Sequence, residues 1–152
     1  MKIKDAKILL VEDNPDDIEL SLLAFKKYKF ANQINVARDG QEALDILFPL
    51  EEKTDRVDLP DIILLDIKLP KIDGLEVLKK IKTDSKTKII PVIILTTSQE
   101  DKDMIESYRL GVNSYIKKPV DFKRFVEVVK QLGLYWILLN EMPSKRQEED
   151  YE

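Results

Sequence analysis

The stretch Asp61-Ile62-Ile63-Leu64-Leu65-Asp66 decides the fold of this chain. Its four apolar residues lie between Pro60 and the turn formers Pro70 and Gly74, and the run is too short to form a helix with its own apolar face. It predicts a strand that is buried on both faces, as the strands of a parallel sheet are. The strand ends at Asp66, and ligands bind at the carboxyl ends of such strands. Asp66 is therefore a candidate site residue, with capping of the following loop as the structural alternative.

The composition indicates a soluble globular domain. The chain has 152 residues, of which 43% are hydrophobic and 36% charged, and its net charge of −4 gives no basic surface that would indicate DNA binding. The apolar runs are far shorter than a membrane span, and no apolar segment follows the basic residues at the N-terminus. We therefore expect a cytoplasmic protein with neither a membrane nor a DNA partner.

Two missing residue types narrow the chemistry. The chain has no cysteine, which excludes disulfides, thiolate catalysis and cysteine-ligated metal sites. It also has no histidine, so it can supply no imidazole base, no imidazole ligand and no phosphohistidine. Any chemistry must therefore come from Asp, Glu, Lys, Ser, Thr or Tyr side chains.

Five short apolar runs alternate with helical patterns along the chain. Besides the run that ends at Asp66, they predict strands at 7–11, 34–36, 91–96 and 114–117. Helices are predicted from Pro15, over 41–48, from Leu75, from Ser98 through Tyr108, and after Asp121. Such alternation is typical of a parallel sheet with helices on both faces, so we predict a doubly wound α/β fold.

Two helices carry specific local signals. Ile18, Leu22 and Phe25 have the spacing of one buried stripe on the first helix. Ser98, with Asp101 three residues later, resembles a capping box at the start of the fourth helix, which we expect to end at Gly111.

Chemically active side chains follow the predicted strands at one edge of the sheet. They are Glu12, Asp13, Asp66, Thr96 and Lys118. Each alone has a structural explanation, such as a solvated acid, a β-branched strand residue or a surface lysine. Together they are harder to explain, because close carboxylates repel one another unless a cation lies among them. An all-oxygen ligand set suits a hard cation, and Mg²⁺ that keeps several waters is the expected occupant.

The same residues carry a resemblance to a known family. The motifs are Glu12-Asp13, Asp66 followed by Pro70 and Asp73-Gly74, Thr96-Thr97-Ser98, and Tyr115 followed by Lys118-Pro119. This pattern resembles the receiver domain of two-component response regulators, over about residues 7–132. The resemblance implies a flavodoxin-like sheet of five parallel strands in the order 2-1-3-4-5.

The resemblance also implies a role for each site residue. Asp66 would accept a phosphoryl group from a histidine kinase or a histidine phosphotransfer protein, which must be another molecule because this chain has no histidine. Mg²⁺ would be bound by Asp13, Asp66 and the main-chain carbonyl of Lys68, with Glu12 acting through a water. Lys118 would bind a phosphoryl oxygen.

Three further residues have implied roles in the switch between states. Thr96 would hydrogen-bond the acyl phosphate and shift toward it, and Tyr115 would rotate inward as space opens. The peptide bond before Pro119 is expected to be cis and to set the direction of Lys118.

Two positions depart from the commonest pattern of the family. Thr97 replaces a smaller residue and could narrow access to the phosphoryl group. Lys68 lies two residues after Asp66, at a position that tunes hydrolysis in the family, and its long side chain could obstruct the attacking water. We therefore hypothesise a slowly decaying acyl phosphate.

The C-terminal part suggests one receiver domain at 1–142 with an extended last helix, followed by a polar, disordered tail at 143–152. The apolar residues between Phe122 and Leu139 exceed a single stripe. The helix end either folds back on its own domain or forms a partner surface, including a homodimer. This segment and the long segment 49–60 are similar to stand-alone phytochrome-associated response regulators, which dimerise, and imply a phytochrome-like kinase.

The leading hypothesis is a single-domain response regulator that acts through protein–protein interaction and is not an enzyme. One alternative is a degenerate receiver that works only as a scaffold. Another is a Mg²⁺-dependent phosphohydrolase of the haloacid-dehalogenase type, although that family needs a second acid where this chain has Lys68. A flavodoxin is a third, but Val11 to Pro15 lacks its phosphate-binding loop.

Overall fold

The computed structural model describes residues 6–27, 33–49, 59–118 and 121–134, in which strands and helices alternate. The elements are β1 (Lys7–Val11), α1 (Pro15–Lys27), β2 (Gln33–Ala37), α2 (Gly40–Leu47), β3 (Ile62–Leu65), α3 (Gly74–Thr83), β4 (Val92–Thr96), α4 (Asp101–Leu110), β5 (Ser114–Lys117) and α5 (Phe122–Leu134). All strand pairs are parallel, and the order in the sheet is β2-β1-β3-β4-β5. The predicted flavodoxin-like fold is confirmed.

The central strand β3 is buried on both faces, as its apolar run predicts. Ile63 and Leu65 belong to a core cluster that includes residues of α2 and α3, such as Leu47 and Leu78. Ile62 and Leu64 belong to a second cluster, on the other face of the sheet. Helix residues of that second cluster are Ile18, Ala24, Phe25, Phe125 and Val126. Because both faces are covered, the carboxyl edge of the sheet is left as the open place for a site.

The strand register brings the predicted site residues to that edge. Val11 of β1 is paired with Leu65 of β3, so Glu12 and Asp66 follow at the same level. At the other side of β3, Leu65 is paired with Ile94, and Thr96 of β4 is paired with Lys117 of β5. Lys118 therefore leaves the sheet next to the end of β4.

The predicted stripe on α1 is wrong at Leu22, which is 37% exposed. The buried residues of this helix are Ile18, Ser21, Ala24 and Phe25. Their directions centre between Ser21 and Phe25, so Leu22 lies about a quarter turn away from the middle of the buried face. Burial of Ser21 is possible because its hydroxyl donates to the main-chain carbonyl of Asp17 at 2.8 Å.

The predicted capping box at Ser98 is also wrong. Helix α4 begins at Asp101, after Glu100, which makes no side-chain capping bond. The Ser98 hydroxyl instead donates to the Asp103 carboxylate at 2.5 Å. The other end of α4 agrees with the prediction, since Gly111 adopts the left-handed conformation, with φ 99°, that favours glycine.

Some predictions concern residues outside the described ranges. They are the middle of the 49–60 segment, the end of the last helix beyond Leu134, and the 143–152 tail. The domain limits and the homodimer therefore stay predictions. The described part of α5 does pack on the sheet through Phe125 and Val126, and no helix in the described ranges is long and apolar enough to cross a membrane.

Gly74 should not tolerate a side chain. A methyl group there would overlap main-chain atoms of Asp66 and Ile67. Gly74→Ala should therefore lower the free energy of unfolding by about 2–3 kcal/mol, as overpacking against rigid main chain does. Gly111→Ala is the matched control, because its added methyl group meets only Lys82 Cδ at 3.9 Å. It should cost about 1 kcal/mol, from its positive φ alone. Urea unfolding that ranks Gly111→Ala as the more damaging change would contradict this packing argument.

Candidate functional site

Three carboxylates meet at the carboxyl edge of the sheet. Oxygen atoms of Glu12, Asp13 and Asp66 all lie within 4.8 Å of one another. Glu12 and Asp66 are only 2% and 5% exposed, whereas Asp13 is exposed to solvent. The site is therefore an acidic pocket with a buried floor and one exposed acid at its rim.

Lys118 provides the positive charge of this pocket. Its ammonium binds the Glu12 carboxylate and lies 2.8 Å from Asp17 Oδ2 and 3.3 Å from Asp66 Oδ2. The lysine itself is buried. One ammonium thus serves three carboxylates, and burial is tolerable because every charge in the group has a partner.

Asp17 is the residue of this group that sequence reasoning missed. It lies in the first turn of α1, where an acid is already explained by the positive end of the helix dipole. The signal that could have found it is position, because α1 starts directly after the loop at the end of β1 and its first turn faces the same edge of the sheet.

Burial and hydrogen bonding shift the pKa values of Glu12 and Lys118. Burial raises the pKa of Glu12 to about 7, against the lowering effect of Lys118. Burial alone would lower the pKa of Lys118, but its hydrogen bonds to Asp17 and Glu12 outweigh that effect and raise it. Lys118 therefore stays charged at neutral pH, while Glu12 takes up a proton more readily than an exposed glutamate does.

Main-chain contacts hold Asp66 in place. Its N–H donates to the carbonyl of Val11 at 3.0 Å, which continues the pairing of β1 and β3 past the end of the strand. The N–H of Lys68 donates to Asp66 Oδ1 at 3.0 Å, while Oδ2 faces Lys118. Each carboxylate oxygen thus has a defined neighbour, and the side chain is presented in one orientation.

Thr96 and Tyr115 lie beside the pocket on neighbouring strands. The Thr96 hydroxyl is fully buried and accepts the N–H of Ser98 at 3.3 Å. The Tyr115 side chain packs partly against the core. Its hydroxyl interacts with the Ser98 side chain but makes no hydrogen bond of good geometry to the described residues. Burial raises the pKa of this hydroxyl.

Lys68 forms its ion pairs with acids outside this cluster. Its ammonium lies 3.4 Å from Asp103 Oδ2 and 3.8 Å from Glu100 Oε2, at the start of α4. Sequence reasoning did not identify Asp103, because an acid in the first turn of a helix is ordinary. Of the other predicted positions, Thr97 is exposed, and Pro119 lies outside the described residues, so its cis peptide stays a prediction.

The donor set fits a hard divalent cation. Its oxygens come from carboxylates, and the chain has no histidine or cysteine that could add an imidazole or thiolate ligand. The exposed position of Asp13 leaves a side of the cluster open to water, which Mg²⁺ retains in proteins. This acidic cluster can therefore bind a metal ion.

Comparisons with known proteins agree with this geometry. A family model described as a response regulator receiver domain matches residues 8–130. The "Probable methanogenesis regulatory protein FilR2" of Methanothrix harundinacea is 43% identical over 137 residues, which are 90% of this chain and 87% of FilR2. Response regulator Rcp1 of Synechocystis sp. is 36% identical over 137 residues, which are 90% of this chain and 92% of Rcp1.

Two solved structures extend the likeness to three dimensions. The phosphorylated cyanobacterial phytochrome response regulator RcpA has a TM-score of 0.77 and 39% identity, covering 91% of this chain and 99% of RcpA. The Mn²⁺-bound form of response regulator Rcp1 has a TM-score of 0.76 and 35% identity, covering 92% of this chain and 100% of Rcp1.

The raised pKa of Glu12 should make the free energy of unfolding depend on pH. The folded protein holds this proton more tightly than the unfolded chain, since the pKa rises from 4.5 to about 7. In chelator, the wild type should therefore lose stability as pH rises through this window. Glu12→Gln removes that loss and should be more stable than wild type at pH 8 by on the order of 1 kcal/mol, with the difference shrinking toward pH 5.

Lys118→Met is the opposite control for this measurement. It leaves the carboxylates without their cation, so it should be less stable than wild type, and more so at pH 8 than at pH 5. Urea unfolding at both pH values compares the variants. A Glu12→Gln protein that is less stable than wild type at pH 8 would contradict the charge argument.

Proposed function

This chain belongs to the response regulator receiver family, and from that premise we propose that it is a single-domain response regulator of a two-component phosphorelay. The observation that carries the proposal is the buried Asp66 carboxylate, with the Lys118 ammonium 3.3 Å away and the acids Glu12 and Asp13 beside it. Receiver domains are signalling proteins rather than enzymes, and they interact with histidine kinases or phosphotransfer proteins.

In the proposed reaction, an Asp66 oxygen attacks the phosphorus of a phosphohistidine on the donor. The acyl P–O bond forms as the P–N bond breaks, and the donor recovers its imidazole. Lys118 binds an oxygen of the transferred group and balances its charge. Mg²⁺ held by Asp13, Asp66 and the main-chain carbonyl of Lys68, with Glu12 through a water, would supply the remaining neutralisation.

The proposed output is a change of surface that a partner protein recognises. Thr96 and Tyr115 are the proposed switch residues, because one hydroxyl is buried beside the pocket and the other is buried without a partner among the described residues. The similarity to RcpA, a phytochrome response regulator, supports a phytochrome-like histidine kinase as the phosphoryl donor. We also propose that two copies of the chain form a homodimer through the last helix.

Phosphorylation of Asp66 has a direct test. Incubation with a small phosphodonor and Mg²⁺ should add the mass of one phosphoryl group to the wild type, and chelator should abolish the gain. Asp66→Asn should show no gain, because the amide lacks the nucleophilic oxygen anion. Asp45→Asn, a change at an exposed acid of α2, is the control and should behave as wild type. No gain in wild type under any condition would favour a degenerate scaffold.

Lys68 should lengthen the life of the phosphorylated state. Its main-chain N–H donates to Asp66 Oδ1, and its ammonium lies 3.4 Å from Asp103 Oδ2. We propose that the side chain between these two points obstructs the water that attacks the phosphorylated Asp66. Lys68→Ala should therefore lose phosphate faster than wild type, by roughly fivefold, as expected for about 1 kcal/mol of barrier. Lys71→Ala removes the same charge from the same loop, where Lys71 pairs with Asp39 at 3.3 Å, and should leave the rate unchanged. Slower loss from Lys68→Ala than from wild type would contradict this role.

A further inference from the structure

Asp17 is an acid of the pocket to which the phosphoryl-transfer scheme gives no role. It lies in the first turn of α1, and its Oδ2 is 2.8 Å from the Lys118 ammonium. Its side chain is 30% exposed, whereas those of Glu12 and Asp66 are almost fully buried. Lys118 is thus shared between two buried carboxylates and one that borders solvent.

The three carboxylates occupy all the hydrogen-bond donors of this ammonium. A lysine ammonium has three N–H groups, and that of Lys118 donates to Glu12, to Asp17 and to Asp66. A phosphoryl oxygen that binds the ammonium must therefore take the place of one of these acceptors.

Asp17 is the acceptor that is easiest to replace. Glu12 Oε2 also accepts the N–H of Asn14 at 3.3 Å, and Asp66 Oδ1 accepts the N–H of Lys68 at 3.0 Å, so a second contact holds each buried carboxylate in the pocket. A buried carboxylate that loses its cation is left unpaired in a place that water does not reach. Water can hydrate Asp17 at the pocket rim, and a partly exposed ion pair of this kind is weak.

We propose that Asp17 competes with the incoming phosphoryl group for the Lys118 ammonium and thereby slows phosphorylation of Asp66. The inference rests on the proposed function. With acetyl phosphate as donor, an Asp66 oxygen forms the new P–O bond, the bond from phosphorus to the acetate oxygen breaks, and acetate leaves. During this step the ammonium passes from Asp17 to a phosphoryl oxygen. Asp17 is therefore a positioning residue, which keeps the lysine on the α1 side of the pocket in the resting protein.

The resting contact can be tested without any phosphoryl donor. Proton–nitrogen NMR at low temperature should detect the hydrogen-bonded ammonium of Lys118, whose signal is identified by its loss in Lys118→Arg. Asp17→Asn should shift this signal. Asp16→Asn should not, because it removes the same charge from the same turn of α1 at an exposed side chain that does not contact the lysine. An unshifted signal in Asp17→Asn would overturn the inference.

The rate of phosphoryl uptake tests the competition. Wild type, Asp17→Asn and Asp16→Asn are mixed with acetyl phosphate and Mg²⁺, and intact mass is followed with time. Asp17→Asn should be phosphorylated about threefold faster than wild type, as expected for the loss of a partly exposed ion pair. Asp16→Asn should react at the rate of wild type. Asp17→Glu keeps the charge within reach of the ammonium and should restore the slower rate.

A gain in rate separates competition from structural damage. Both asparagine variants lose one acid at the positive end of the α1 dipole, so urea unfolding should show similar small losses of stability for the two. A merely structural role of Asp17 predicts slower uptake in Asp17→Asn. High salt screens a partly exposed pair, so the rate difference between Asp17→Asn and wild type should shrink as salt is added.

Failure of the inference and failure of the proposed function give different results. Uptake by wild type with an equal or slower rate in Asp17→Asn would overturn the inference and leave the proposed function standing. Equal acceleration by Asp16→Asn would also overturn it, because the effect would then be one of general charge. A wild type that takes up no phosphoryl group would overturn the proposed function and this inference with it.

Discussion

The contact between the Lys118 ammonium and the carboxylates of Glu12, Asp17 and Asp66 is the interaction on which the site depends. Two of these carboxylates are almost fully buried, and without the lysine their mutual repulsion would oppose the folded arrangement. The lysine reaches them only because the ends of β1, β3 and β5 meet at one edge. This contact can form only with the observed strand order. It also places a positive charge beside Asp66, as phosphoryl transfer would need.

The apolar contacts of the fold lie on the two faces of the sheet, which leaves its carboxyl edge to polar side chains. Alternate residues of β3 pack into two separate cores, which fix the strand from both faces. Asp66 is the next residue after this strand, so its main chain is held firmly. Its N–H donates to the carbonyl of Val11, which extends the hydrogen bonding between β1 and β3. Gly74 closes the loop by packing α3 against Asp66 and Ile67, where no side chain would fit. A rigid carboxylate on a stable frame is what positioning requires.

Sequence reasoning predicted the sheet and the five side chains at its edge because short apolar runs and the polar residues at their ends are local features. It did not predict Asp17 or Asp103, since each has a sufficient local explanation in the first turn of a helix. Leu22 and Ser98 were misassigned for a related reason. Which face of α1 meets the sheet, and which acid Ser98 meets, are decided by how the elements pack and not by spacing along the chain.

The Tyr115 hydroxyl is buried without a hydrogen bond to the residues that the structure describes, which bears on the balance between alternative conformations of this chain. A buried polar group without a hydrogen bond costs about 1–3 kcal/mol. Any rearrangement that gives this hydroxyl an acceptor regains that amount, which corresponds to roughly a fivefold to 150-fold change in relative population. A second conformation in which this hydroxyl is hydrogen-bonded would therefore cost less to reach by that amount.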